Sequence, residues 1–123
     1  GDFMKAWGGI SSIQFALPVL WTAAKKHDCS LNDIAKWLCE KPAILTGKQN
    51  NKGKIAKEYD ADLVVWDPEQ QFTVTESRIY HKHKITPYLG EKLYGVVEQT
   101  YLEGQKVFDK GKFILNKGSI LLR

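Results

Sequence analysis

The sequence has few cysteines, a single methionine and no long apolar run. Cys29 and Cys39 are ten positions apart and form no zinc-binding signature, so we expect free thiols in a reducing compartment. No apolar run approaches the roughly 20 residues of a transmembrane helix, which excludes a helix that spans a bilayer. The first residues, Gly-Asp-Phe-Met-Lys, lack the two halves of a signal peptide and are typical of a processed or truncated chain. We expect a cytoplasmic protein, with peroxisomal or mitochondrial location left open.

The net charge is basic, but no motif for binding nucleic acid accompanies it. The formal net charge is +4, and the lysines group only within residues 48–57 and 82–84. A basic surface can attract nucleic acid, but no pattern of aromatic and basic residues that could read bases accompanies it. We therefore predict a solvated surface and no nucleic-acid or membrane partner. At 123 residues the chain is one domain or part of one.

The pattern changes at residues 52–68, where helical periodicity gives way to strands. Four apolar residues at 63–66 lie between two turn signals and predict a strand buried on both faces. Pro68 cannot donate to a sheet ladder, so it is predicted to end that strand. Asp60 and Asp62 resemble paired catalytic carboxylates, but aspartates before a strand more often bond their own backbone in a turn.

Upstream of residue 52 the sequence predicts helices. We expect a short turn at 12–16 and a helix at 18–26, with Pro18 in its first turn. Ser30 and Asp33 form a capping box that begins a helix at 31–40. Pro42 either ends that helix or starts a new turn at 42–45, which Gly47 would cap.

Downstream of residue 68 the sequence predicts strands and turns. We expect strands at 71–75, 93–102 and 105–108, with a hairpin turn at Glu103-Gly104. Residues 86–90 and 109–112 are predicted turns. The apolar residues at 113–115 and 120–122 are expected to pack against the rest of the chain.

The best candidate for metal chemistry is the pair His81 and His83. Two histidines at i and i+2 of a strand share a face and could hold one metal ion. No third ligand accompanies them, because His27 ends a distant predicted helix. A structural or surface role is favoured, and we predict no metal ligand and no catalytic residue in this chain.

Five segments of the chain, in this order, have the form of one enzyme family. They are Lys5-Ala6-Trp7-Gly8-Gly9-Ile10, Pro42-Ala43 with Gly47, Asp60-Ala61-Asp62-Leu63-Val64, His83-Lys84-Ile85-Thr86-Pro87-Tyr88, and Thr100-Tyr101-Leu102-Glu103-Gly104-Gln105-Lys106-Val107-Phe108. Together they resemble the C-terminal portion of allantoinases, which belong to the cyclic amidohydrolase superfamily with dihydropyrimidinases and dihydroorotases.

The resemblance implies an α+β fragment. Residues 1–50 would be the last helices of a metal-dependent (β/α)8 barrel, and residues 51–123 part of the small C-terminal β-sandwich, with a closing hairpin and a tail. Such a fragment lacks its N-terminal partner strands and its barrel, so strand edges and apolar faces should be exposed.

The resemblance also implies a function. Allantoinases hydrolyse allantoin to allantoate with two zinc ions, and the ligands and the catalytic aspartate would lie upstream, which makes the isolated chain inactive. Trp7, Gly8 and Gly9 would be the substrate-proximal residues, through backbone groups. Allantoin or a related cyclic ureide would be the ligand of a full-length enzyme, which we expect to be a homo-oligomer. The alternative is a non-catalytic oligomerisation or interaction module.

Two positions depart from the family pattern. Glu58-Tyr59 stand where the family usually has glycine before the Asp-Ala-Asp turn, and Lys41 replaces an asparagine. If residue 58 or 59 takes a positive φ, a side chain there costs on the order of 1 kcal/mol.

Overall fold

A computed structural model of the chain describes residues 2, 4 and 8–114. Helices come first and an antiparallel sheet follows. The helices are α1 (Ala16–Lys25), α2 (Leu31–Ala35) and α3 (Lys41–Leu45), and the strands are β1 (Leu63–Thr73), β2 (Lys92–Leu102), β3 (Gln105–Asp109) and β4 (Lys112–Phe113). Short 3₁₀ turns cover Ile13–Phe15 and Glu76–Arg78. The architecture is therefore α+β, as predicted.

Helix α1 follows directly on the turn Ile13–Phe15, and its register explains how it tolerates proline. Pro18 is the third residue of the helix, where backbone amides have no partner within the helix. Trp21 and Ala24 bury one face of α1 against the rest of the chain. The predicted turn and helix are thus confirmed as one continuous segment.

The second helical segment runs without interruption from residue 31 to residue 45. Ser30 Oγ accepts the Asp33 amide at 3.3 Å, and the Asp33 carboxylate accepts the Ser30 amide at 3.0 Å, which is the predicted capping box. Residues 36–40 form a π-helical turn in which the Lys41 amide donates to Lys36 O. That wider turn makes room for the ring of Pro42, which would otherwise clash with the carbonyl four residues earlier. Pro42 therefore starts α3 rather than ending the helical run.

Helix α3 ends on the glycine that the sequence indicates. Gly47 has φ +69°, its amide donates to Ile44 O at 3.0 Å, and the Lys48 amide donates to Ala43 O at 2.7 Å. This pair of bonds is a Schellman motif, which satisfies carbonyls that the helix leaves without partners.

The four strands form one antiparallel sheet in the order β1-β2-β3-β4. The prediction that Pro68 ends the first strand is wrong, because β1 continues to Thr73 through a large bulge. Asp67 pairs with Val96 and Gln71 with Tyr94, so residues 68–70 lie opposite Gly95 alone. A bulge removes Pro68 from the hydrogen-bonded ladder, where its missing amide would be a defect. The separate strand predicted at 71–75 is the second half of β1.

The hairpin between β2 and β3 matches its prediction. Glu103 has φ +50° and Gly104 has φ +76°, and these two positive values are those of a type I′ turn. Strand β2 covers the predicted range 93–102, and β3 the predicted 105–108. The turn at 109–112 is tighter than predicted, since Lys112 already belongs to β4. Of the apolar tail, 113 and 114 are more than half exposed, and 115 and 120–122 lie outside the described residues.

Two small buried clusters hold the helices on the sheet. One contains Phe15, Val74, Ile79 and Leu93, and the other contains Trp21, Ala24 and Ile34. Strand β1 was predicted to be buried on both faces, and this is wrong for its first half. Val64 and Val65 are each 49% exposed, because no described element covers them.

Candidate functional site

The loop that the sequence places near substrate is only partly described. Trp7 lies outside the described residues, whereas Gly8 and Gly9 are both exposed. Gly9 has φ +86°, a conformation that disfavours any side chain, so this position favours glycine. Whether the loop approaches a ligand stays a prediction.

The end of this loop is attached to the core. The Ser12 amide donates to Ile10 O, and the Phe15 amide donates to Ser12 O, both at 2.9 Å. Phe15 is only 2% exposed and packs edge-to-face against Tyr88, with ring centroids 6.2 Å apart. The C-terminal end of the loop is therefore fixed to the core, although Gly8 and Gly9 are exposed.

Beside the loop lies a wide apolar groove of about 1460 Å³ between residues 10–18, the segment 78–81 and one face of β1, β2 and β3. Tyr80, Phe108 and Phe113 form one wall, with ring centroids 5.0–6.2 Å apart. Tyr80 Oη donates to Gly111 O at 3.2 Å. Sequence analysis missed the groove because separate segments of the chain build it, and no single segment carries a signal for it.

A few charged and titratable side chains line the same groove. They are Arg78, His81, Glu98 and Lys110. The Arg78 guanidinium carbon lies 5.2 Å from the centre of the Phe72 ring, which is a cation–π distance. The groove is thus an apolar surface with a mainly basic margin.

The structure does not support the strand geometry assumed for the histidine pair. Residues 81–83 form a bend rather than a strand, so His81 and His83 do not share a strand face. His81 Nε2 lies 3.3 Å from Ile85 O, and His83 is exposed. Within residues 2, 4 and 8–114, no three side chains of the usual metal-ligating types lie together.

Asp60 and Asp62 both form ion pairs with one lysine, rather than sharing a proton with each other. Lys52 Nζ lies 2.8 Å from Asp60 and 2.5 Å from Asp62. Asp62 Oδ1 also accepts the Glu103 amide at 2.9 Å, and the Gly104 amide donates to Ala61 O. The aspartates thus tie the segment before β1 to Lys52 and to the β2–β3 hairpin. Their role is structural, as expected, but their partners are Lys52 and the Glu103 amide rather than their own backbone.

Opposing effects act on these charges. Burial tends to raise the pKa of Asp62, but the hydrogen bonds from Lys52 and from the Glu103 amide outweigh it and hold that pKa below its usual value. The hydrogen bonds to Asp60 and then to Asp62 raise the pKa of Lys52. Both shifts favour the charged forms, so the Asp62 carboxylate is not prepared to act as a general acid.

The departure from the family pattern at residue 58 has a structural counterpart. Glu58 has φ +68°, the left-handed conformation that glycine adopts without strain. Its neighbour Tyr59 donates from Oη to Gln49 O at 2.8 Å, which holds the turn closed. The chain therefore carries a strained residue at the place where the resemblance expects glycine.

Both cysteines, Cys29 and Cys39, are free thiols, as predicted. Burial raises the pKa of the Cys39 thiol, which makes it less reactive. Among the described helices, none has the length and apolar character needed to cross a membrane.

Comparisons with known proteins give a consistent family. The family model described as "Amidohydrolase family" matches residues 5–107. A "Probable allantoinase" of Oryza sativa subsp. japonica is 48% identical over 114 residues, which cover 91% of this chain and 22% of that protein. An allantoinase of Streptomyces avermitilis is 40% identical over 122 residues, which cover 99% of this chain and 27% of that protein.

The solved structures agree with the sequence relatives. An L-hydantoinase (dihydropyrimidinase) from Arthrobacter aurescens superimposes with a TM-score of 0.82 at 30% identity, over 91% of this chain and 25% of that one. The chain therefore spans about a quarter of the length of the relatives that it matches. On these matches, and on the α+β arrangement that accompanies them, the chain belongs to the amidohydrolase family, with allantoinases among its relatives in sequence.

Proposed function

We propose that this chain is the C-terminal portion of an allantoinase-like, metal-dependent amidohydrolase that opens the ring of allantoin or a related cyclic ureide in purine and ureide catabolism. The observation that carries the proposal is the 48% identity to the rice probable allantoinase over 91% of the chain. The allantoinases of Streptomyces, Arabidopsis and yeast are 40–45% identical over 88–99% of the chain, which supports the same substrate class.

The proposal assigns metal chemistry to the rest of the enzyme. Two zinc ions supply the hydrolytic chemistry that the family resemblance implies, and the donor set of the described residues does not fit them. His81 and His83 lie in a bend without a third ligand nearby, and Asp60 and Asp62 are both paired with Lys52. The isolated chain is therefore proposed to be inactive, and Trp7, Gly8 and Gly9 to contribute only backbone contacts to substrate.

The helices are proposed to be the last of a (β/α)8 barrel at residues 1–50, and residues 51–123 part of a β-sandwich. Two features of the chain support this incomplete arrangement. The outer edge of β1 has no strand partner among the described residues, and the same strand carries the half-exposed Val64 and Val65. An apolar strand from the rest of the enzyme would pair with that edge and cover the groove, since an unpaired edge readily accepts another strand.

The experiment is a graft into an active relative. This chain replaces the matched 114-residue segment of the rice protein, and the product is assayed for allantoin hydrolysis and bound zinc. We expect turnover by the graft and none by the isolated chain. A matched control graft carries Gly95→Val, which would disturb the bulge packing and should lose turnover together with folding.

Two outcomes would contradict the proposal. A graft that folds with its zinc but hydrolyses only other cyclic amides would reject allantoin as substrate. Allantoin turnover by the isolated chain with excess zinc would reject the assignment of metal and catalysis to the missing part.

The second candidate is a non-catalytic interaction module, and the exposed β1 edge favours it. In that case the same edge and groove would serve contacts between subunits, and the chain alone would form a homo-oligomer. Sedimentation over a wide concentration range tests this, because a module of this kind associates with increasing concentration, whereas a constant monomer argues against it. A cytoplasmic location, compatible with the two free thiols, remains part of the proposal.

A further inference from the structure

The side chain of Gln14 joins two segments that both line the groove. Its Nε2 donates to Arg78 O, and its Oε1 accepts the Tyr80 amide at 2.9 Å. These two backbone groups flank Ile79, which has an extended conformation with φ −89° and ψ +117°. A carbonyl and an amide two residues apart lie on one strand edge, so the Gln14 amide occupies the place of a paired strand.

Gln14 lies at the junction between an anchored residue and an exposed loop. Phe15, the next residue, shares a buried cluster with Ile79. On the other side, Ile13 is 94% exposed and Ile10 is 58% exposed, so burial holds the loop only weakly. The polar bridge of Gln14 therefore acts together with the buried Phe15 to fix where the loop leaves the core.

We infer that Gln14 is a positioning residue that sets where the loop 8–12 lies relative to the segment 78–81, beside the groove. The bridge to Arg78 O and to the Tyr80 amide requires one hydrogen-bond donor and one acceptor at the end of a side chain as long as that of glutamine. A carboxylate lacks the donor, and a thioether lacks both. This inference rests on the proposed function only where it extends to substrate, through the adjoining Gly8 and Gly9.

The first experiment is hydrogen exchange on the isolated chain, with Gln14→Glu and Gln14→Met. At about pH 8 the carboxylate introduced by Gln14→Glu is an anion against a carbonyl, and at about pH 4 it regains a proton to donate. In Gln14→Glu we expect the amides of Tyr80 and Ser12 to exchange about tenfold faster than in the unchanged chain at the higher pH, and to recover at the lower pH. In Gln14→Met the same two amides should exchange fast at both pH values.

The control is Gln71→Glu, which makes the same chemical change at an exposed position of β1. The groups that face Gln14 across the groove also include titratable and charged side chains, namely Arg78, Tyr80, His81, Glu98 and Lys110. Comparing each variant with the unchanged chain at the same pH removes their contribution. Gln14→Glu exchange equal to that of the unchanged chain at about pH 8, or without recovery at about pH 4, would overturn the inference.

The second experiment separates position from fold in the active graft. We expect Gln14→Met to raise the KM for allantoin several-fold with kcat within about twofold, because the loop would bind substrate without entering the chemistry. Gln71→Glu should change neither. If Gln14→Met leaves the KM of an active graft unchanged, the link between Gln14 and substrate is overturned. An inactive graft would count against the proposed function alone, and the exchange experiment would still decide the role of Gln14.

Discussion

The two halves of strand β1 differ in burial, and the difference is the opposite of what their apolar content predicts. The first half, Leu63 to Trp66, is the most continuously apolar stretch of the strand, yet Val64 and Val65 are half exposed. The second half, which follows the bulge, has polar neighbours, yet Phe72 packs against the buried cluster and Val74, just beyond the strand, is 1% exposed. The apolar run at residues 63–66 thus predicts more burial than the described residues provide, because no described element covers Val64 and Val65.

The largest expected effect contrasts the two kinds of apolar position. Ile79→Ala removes a side chain that is 0% exposed and should lower the free energy of unfolding by about 2–5 kcal/mol. Val65→Ala, at 49% exposure, should lower it by less than about 1 kcal/mol. Urea unfolding of both variants measures the difference. Equal costs would mean that the first half of β1 is covered in solution, for example by a second copy.

The second effect concerns the bulge that separates the halves. A Cβ at Gly95 would lie 2.9 Å from Trp66 Cζ3, and the residue has φ +96°, so Gly95→Ala should cost about 2–3 kcal/mol. Gly90 has φ +84° but open space around it, so Gly90→Ala should cost only the backbone strain, about 1 kcal/mol. The difference, measured by thermal unfolding, isolates the contact with the indole ring. No difference would show that Trp66 moves aside freely.

A smaller effect should be stabilising. Glu58→Gly relieves the left-handed strain at φ +68° and should raise the free energy of unfolding by up to about 1 kcal/mol, offset in part by the added freedom of the unfolded chain. Lys57→Gly, one residue away and without a positive φ, is the matched control and should destabilise slightly. Equilibrium unfolding in urea distinguishes the two signs. A loss of stability in Glu58→Gly would mean that the side chain has a contact that outweighs the strain.

The smallest effect is the pH dependence of the ion pairs before β1. The pKa of Asp62 is lowered in the folded chain, so its contribution is complete above the unfolded value near 3.8 and is lost as the pH falls through the folded pKa. Because Lys52 and Asp62 are partly exposed, the contribution should stay below about 1 kcal/mol. Asp62→Asn should flatten the acid limb of the stability curve relative to Asp2→Asn. An unchanged slope would contradict the role of this pair.

The sequence predicts those elements whose cause is local. The capping box at Ser30 and Asp33, the αL cap at Gly47 and the Glu103-Gly104 hairpin each depend on neighbours within a few residues, and all three are found. The sequence did not determine the structure at Pro42 or at Pro68, because each proline is accommodated by an element that is unusual or non-local. Pro42 is accommodated by a π-helical turn before it, and Pro68 by a bulge opposite Gly95.

The candidate site was less predictable for a related reason. Trp7, Gly8 and Gly9 were predicted as substrate-proximal from the resemblance to a family, and this stays a prediction, whereas the positive φ of Gly9 is visible only in the structure. The groove and the Gln14 bridge join residues more than 60 positions apart, and glutamine in a turn has no distinctive pattern. The histidine pair was predicted to have a structural or surface role, and residues 81–83 form a bend in which the two side chains share no strand face.

The contact between α1 and the bulge has an optical consequence. The indole rings of Trp21 and Trp66 lie edge-to-face, 5.8 Å apart at 88°, and Trp21 Nε1 donates to Pro68 O at 2.8 Å. Two such chromophores in a fixed asymmetric arrangement should couple and give a near-ultraviolet circular dichroism band. That band would report the docking of helix on sheet separately from backbone content, and its early loss on heating would mark the junction as the first part of the chain to open.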